Sequence, residues 1–414
     1  MIRLIFFMGT CLALIACGDD PTNDDICFVN CGGNDGVSVQ VLSPGSVSKT
    51  NNVPVYMHYM PWFEAKDGIN DRWGIHWTMN ASFPDVIGND GQRDIASHYY
   101  PLIGPYSTND PLVIDYHLLL MKYAGIDGIL INWYGVEGSN GDINSLLEHS
   151  ETIIGRTDEV GLGFSVVMED RFSRNVNEVI ANISYVNDNY YRSDQFIHIG
   201  SNPLLMIFGP ITIQDPVQWT TILGSTSASE IFLPLWGFTG KTGASNVSGE
   251  YSWVVSSGMS GLSNYYQNVN ASKVIGGAAY PGFKDYYEEG GWTSSALPWS
   301  IEVGAATLKS TLDLAKTNAS KIDFLQLVTW NDYGEGTMIE PTEEFGFSFL
   351  QEVQSFTGVA FGLEELEMIH ELYLKRRQYE GSGESDVIKK LDQVYYYLVA
   401  LKVEDARALL DSVE

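Results

Sequence analysis

The chain has 414 residues, and its 52 acidic against 23 basic side chains leave a formal charge of −29. Such a charge repels phosphates, which excludes nucleic acid and anionic membrane as partners and suits a neutral or cationic ligand. Hydrophobic residues make up 44% of the chain, with 10 Trp, 23 Tyr and 18 Phe, so the composition is globular and rich in rings available for a core or a binding cleft.

Met1-Ile2-Arg3 is followed by an apolar run to Ala16 and then Cys17-Gly18-Asp19-Asp20. One cation, a short apolar stretch and small residues before a break describe a secretory signal, too short to span a bilayer. Leu14-Ile15-Ala16-Cys17 resembles a bacterial lipobox, which makes Cys17 the lipidated first residue of an exported outer-membrane lipoprotein, displayed at the cell surface and touching membrane only through its anchor. The alternative is an ordinary cleaved signal with a chance cysteine. Residues 18–52 are rich in Gly, Asp, Asn and Ser and read as a flexible tether. Cys27 and Cys31 lie inside it, either as a small disulfide or as two free thiols. Cysteine is absent beyond Cys31, so a thiolate nucleophile or a thiolate-held metal is excluded from the rest of the chain.

From residue 53 onward, short β-branched and aromatic runs alternate with helical patterns. Strands are predicted at 53–60, 126–133, 162–169, 203–209, 230–236, 251–257, 273–280 and 324–330, and helices at 112–124, 143–160, 176–191, 217–223, 261–269 and 303–319. Eight such units predict an α/β fold, a (β/α)₈ TIM barrel over 53–360, with no helix in the Gly- and Ser-rich connection 237–250. Leu363, Leu366, Ile369 and Tyr373, then Val387, Leu391, Val394, Leu398 and Leu401, then Ala406, Leu409 and Leu410 repeat at helical spacing, which predicts a small helical appendage over 361–414.

Barrels of this kind place function at the C-terminal ends of the strands. Those ends carry His58, Tyr59 and Trp62, then Trp133 and Tyr134, Glu169, Trp236, Tyr280, and finally Trp330 and Asn331. Rings stack on the C–H faces of sugars and carboxylates bond hydroxyls, so this set reads as a carbohydrate cleft, walled by the long, aromatic-rich loop from 60 to 111. Such chemistry requires no cofactor and no metal. The predicted partner is an oligosaccharide or polysaccharide, bound by a monomer.

The segment Trp330-Asn331-Asp332-Tyr333-Gly334-Glu335-Gly336-Thr337 puts two acids three apart on a glycine-rich turn after the last strand. Cleaving a glycosidic bond takes one carboxyl group to protonate the leaving oxygen and a second to activate a nucleophile. Gly334 and Gly336 allow the dihedrals that would splay the two apart. The bland alternative has Asp332 capping a turn and Glu335 solvated.

Extended to Met338-Ile339-Glu340-Pro341, this string resembles the active-site segment of glycoside hydrolase families 71 and 99, and His58-Tyr59-Met60-Pro61-Trp62, Asn132-Trp133-Tyr134-Gly135 and Tyr280-Pro281-Gly282-Phe283 resemble other strand ends of family 99. The resemblance covers about residues 53–355 in order. It implies endo-acting cleavage of α-mannosidic linkages with Glu335 as general acid and Asp332 as the base that deprotonates the substrate's own 2-hydroxyl, with retention. Asp332 is one methylene shorter than the family 99 base, and Asn-Asp-Tyr-Gly-Glu matches inverting family 71 α-1,3-glucanases, a second reading. A third is a non-catalytic surface glycan-binding protein. Glu340 and Glu169 are candidate sugar-binding acids; their alternatives are bracing of the loop by Glu340 and an ion pair of Glu169 with Arg171.

Overall fold

The structure, a computed structural model, describes residues 38–66, 68 and 70–413. The signal segment, Cys17, Cys27 and Cys31 lie outside the described residues.

Nine strands are present among the described residues: β1 Val55–Tyr59, β2 Gly128–Trp133, β3 Gly163–Met168, β4 His198–Ile199, β5 Asn202–Ile207, β6 Ile231–Pro234, β7 Gly249–Tyr251, β8 Val274–Ala279 and β9 Phe324–Leu327. All but β4 are parallel neighbours in one curled sheet: β1, β2, β3, β5 and β6 follow one another on one side, and β9, β8 and β7 continue from β1 on the other. The two ends of the sheet meet at a parallel bridge between Leu235 and Tyr251, which makes the architecture barrel-like. β4 is a short antiparallel hairpin partner of β5, outside this ring. The strands read as near-continuous apolar runs because a parallel sheet is covered on both faces, by side chains inside and helices outside.

Alternation along the strands decides what faces the interior. Tyr56, Leu130, Val167, Leu204, Met206, Leu233, Tyr251 and Phe324 belong to one inner cluster, separate from the larger shell between sheet and helices. Gly276 of β8 is small because a Cβ there would lie 2.7 Å from both Tyr251 and Phe324. Two residues further along the strands, the same inner face carries His58, Asn132, Glu169, Phe208 and Trp253.

Several elements differ from the sequence reading. The strand expected at 251–257 is instead Gly249–Tyr251, and the connection expected to lack a helix holds a single turn, Thr239–Thr242. The barrel's last helix, Ser348–Thr357, carried no separate prediction. Residues 38–52 are not a free tether. Gln40 exchanges hydrogen bonds with Gln393, the Gly45 N–H donates to the Val399 carbonyl, Lys49 pairs with Asp127, and the Asn51 N–H donates to the Thr357 carbonyl. The C-terminal segment forms three helices, Leu363–Tyr379, Ser385–Val399 and Val403–Asp411, the first of which packs along the helix Pro111–Tyr123.

Candidate active site

A cleft of about 700 Å³ opens above the inner cluster, floored by His58, Asn132, Glu169, Phe208 and Trp253. Its sides hold the turn with Asp332 and Glu335, Tyr287 and Trp292 from the long connection after β8, and Trp62, Glu64, His76, Tyr134, Asp142 and His149, with His76 meeting Trp292 edge to face.

The turn is built from backbone outward. The Thr329 N–H donates to the Thr337 carbonyl at 2.8 Å and its hydroxyl accepts from the Asp332 N–H at 2.8 Å, which closes the loop at its base. On its far side the N–H groups of Lys284 and Tyr286 donate to the carbonyls of Glu335 and Gly334, both at 2.9 Å. Gly336 adopts φ +65°, and a Cβ there would lie 2.7 Å from the Lys284 carbonyl, so the close approach requires glycine. Gly334 is not left-handed; it is crowded, with Met79 and the Asp332 carboxylate beside it.

Asp332 is buried, and its Oδ1 accepts the Glu335 N–H at 3.0 Å, so it both caps the turn and lines the cleft. Burial pushes its carboxyl well above the usual carboxylate range and the neighbouring Glu335 charge pushes it further, against the N–H donors of Glu335 and Gly334. Glu335 is partly exposed and accepts from the Tyr287 hydroxyl at 2.9 Å. Burial raises its pKa as well, while the Tyr287 hydrogen bond and Arg171 hold it back. Neighbouring carboxyl groups with raised pKa values titrate as a pair, and one protonated beside one ionised is the state that acid–base chemistry at a glycosidic bond requires.

The floor is polar. Burial drives the imidazole of His58 down to about 4, leaving it neutral, and the Asn132 side chain interacts with both that imidazole and Glu169. Glu169 pairs with Arg171 at 2.8 Å and still lines the cleft; burial pushes its carboxyl up to about 7 despite that pair. Asp170, next in the chain, turns away and accepts three backbone N–H groups from residues 211–213 at 2.7–2.9 Å, which anchors the strand end that presents Glu169. Trp62 stacks on His76 with ring centroids 4.0 Å apart and planes within 7°.

Of the residues singled out in the sequence, His58, Trp62, Tyr134, Glu169, Asp332 and Glu335 line the cleft. Tyr59, Trp133 and Trp236 do not, because alternation turns them outward: Tyr59 bonds His117, Trp133 stacks on Tyr185, and Trp236 packs on Tyr265. Tyr280 is buried beside the outer helix Ala305–Thr317, where its N–H donates to Thr311. Trp330 packs edge-on against His117, and Asn331 clamps both backbone polar groups of Met60, so neither faces the cleft. Glu340 is fully buried, accepting from the Tyr106 hydroxyl at 2.6 Å and His117 Nε2 at 3.0 Å; it braces the loop and does not reach the cleft. Asn132, quoted in the sequence at its strand end, and Arg171, named there as the partner of Glu169, also line the cleft, whereas the sequence reading missed Phe208, Trp253, Tyr287 and Trp292. Phe208 and Trp253 were findable by stepping two residues along each strand from an inner methionine or tyrosine.

Residues 52–289, more than half of the chain, match glycosyl hydrolase family 99. The chain belongs to that family. The matched stretch holds His58, Glu169 and Tyr287 and ends before Asp332. Among relatives, a human glycoprotein endo-alpha-1,2-mannosidase-like protein is 24% identical over 317 residues, covering 69% of this chain and 68% of its own. A Xenopus laevis glycoprotein endo-alpha-1,2-mannosidase is 24% identical over 194 residues, covering 44% of this chain, and the alignment spans only 42% of that enzyme's length. The GH99 endo-alpha-mannosidase structure from Bacteroides thetaiotaomicron superposes with a TM-score of 0.58 at 18% identity, over 77% of this chain and 98% of that one, which shows a shared fold.

Proposed function

We propose that this family 99 chain is an endo-acting hydrolase of internal α-mannosidic linkages in α-mannan or a related glycan. Glu335 protonates the departing sugar oxygen and Asp332 acts as base. The observation that carries the reading is the pair itself: two carboxyl groups with raised pKa values on one backbone-clamped turn in the cleft, Asp332 buried and Glu335 held by Tyr287. Names of relatives that act on α-mannosides support the sugar. The cleft lining disfavours an anionic substrate, since among the described residues it holds Glu64, Asp142, Glu169, Asp332 and Glu335 against Arg171 as its one Lys or Arg. In this reading the hydroxyls of the bound sugar bond His58 and Asn132 on the cleft floor.

Incubation with α-mannan and, separately, with α-1,3-glucan tests it. Release of mannose oligosaccharides of several lengths from α-mannan is expected. Products from the glucan alone would overturn the mannan reading in favour of the glucanase one. Display at the cell surface through a lipid on Cys17 belongs to the same proposal; incorporation of labelled palmitate that survives Cys17→Ser would refute it.

A further inference from the structure

The helix Pro111–Tyr123 is gripped from outside by the C-terminal helices and grips the catalytic turn from within. Its N-cap Asp110, which accepts from the Leu112 N–H at 2.9 Å, is the partner of the Arg377 guanidinium. One turn on, buried Asp115 accepts from Arg376 Nη1 at 2.8 Å, while Nη2 of the same arginine donates to Asp392 of the helix Ser385–Val399 at 2.8 Å. Tyr116 packs on Tyr373, ring centroids 5.0 Å apart.

The next residue, His117, points into the protein and is fully buried. Its Nε2 lies 3.0 Å from Glu340 Oε1 and its Nδ1 2.9 Å from the Tyr59 hydroxyl. Tyr59, His117 and Glu340 thus form one continuous row of buried polar contacts. Glu340 in turn is tied to the catalytic segment. Its N–H donates to the Trp330 carbonyl at 2.8 Å, and Tyr106, which donates to its carboxylate, also receives the Asn331 amide at 3.1 Å. A shift of this helix therefore moves both ends of the loop that presents Asp332 and Glu335.

We propose that the C-terminal helices brace the catalytic turn, with Arg376 and Arg377 as positioning residues that act through Pro111–Tyr123 and His117 on Glu340. The inference rests on the acid and base roles given above to Glu335 and Asp332.

The test uses the full chain on α-mannan, well below the melting temperature of every variant. Arg376→Met lowers kcat on the order of tenfold with KM within about twofold of wild type, because misplacement of a catalytic group costs turnover more than binding. Arg376→Lys, whose single ammonium cannot hold Asp115 and Asp392 together, gives a smaller loss and serves as the readout if Arg376→Met does not fold. Residues acting along one route are non-additive, so Arg376→Met combined with His117→Gln turns over no more slowly than His117→Gln alone. Wild-type kcat in the Arg376 variants, or losses that multiply in the double variant, overturns the brace. An inert wild-type chain overturns the functional reading and the brace with it.

Discussion

The backbone N–H of Glu335 donates to Oδ1 of Asp332 at 3.0 Å, so the turn that presents the proposed acid is folded around the proposed base. Glu335→Gln keeps that N–H, and it is expected to leave the fold intact while lowering kcat on glycans by roughly 10²- to 10⁴-fold. An activated aryl glycoside, whose leaving group needs no proton, loses far less. The Glu335 charge is also one of the forces raising Asp332, so on that substrate the acid limb of the pH profile moves to lower pH in the variant. An unmoved limb would show that the two carboxyl groups do not titrate together.

Tyr287 donates to Glu335 at 2.9 Å and so stabilises its ionised form. Tyr287→Phe removes that support and raises the Glu335 pKa further. The alkaline limb of kcat/KM, where the acid loses its proton, then moves to higher pH. A downward shift would mean that Tyr287 acts on some other group.

Glu169 has a folded pKa of about 7 against 4.5 for the free side chain. Between those values the unfolded chain has lost its proton and the folded chain keeps it, so stability falls as pH rises from 4.5 to 7 and is level above. The whole fall is about 3 kcal/mol. Glu169→Gln cannot ionise. It is expected to melt above wild type at pH 8, with the gap closing toward pH 4.5, and to turn over more slowly. A gap of the same size at both pH values contradicts the assignment of the shift to Glu169.

Glu340→Ala strands the donors of His117 and Tyr106 in a dry site, which costs about 3 kcal/mol in denaturant unfolding. Because Glu340 touches no part of the cleft, KM stays near the wild-type value. A large rise in KM with stability unchanged would return Glu340 to the sugar site.

Strand positions were legible because each buried parallel strand is an uninterrupted apolar run. The ends were less so. Trp133 is the more conspicuous ring, yet Leu130 belongs to the inner cluster, and a period of two sends Asn132 inward and Trp133 out. The same step finds Phe208 and Trp253. Tyr287 and Trp292 had no such signal, since they sit on an aperiodic connection whose course depends on backbone pairing with the turn that carries Asp332 and Glu335. Residues 38–52 looked like a tether because nothing local holds them; their partners, Gln393, Val399 and Thr357, lie some three hundred residues away in the chain. The two acids on the turn were visible from spacing, whereas their raised pKa values follow from burial that spacing does not contain.

The central claim is that Asp332 and Glu335 perform the chemistry, and oligosaccharide release from α-mannan by wild type, Glu335→Gln and Asp332→Asn tests it most directly. Wild type is predicted to release a series of mannose oligosaccharides, and each variant to bind the glycan while its turnover falls at least about 10²-fold. Turnover at the wild-type rate in both variants would contradict the account.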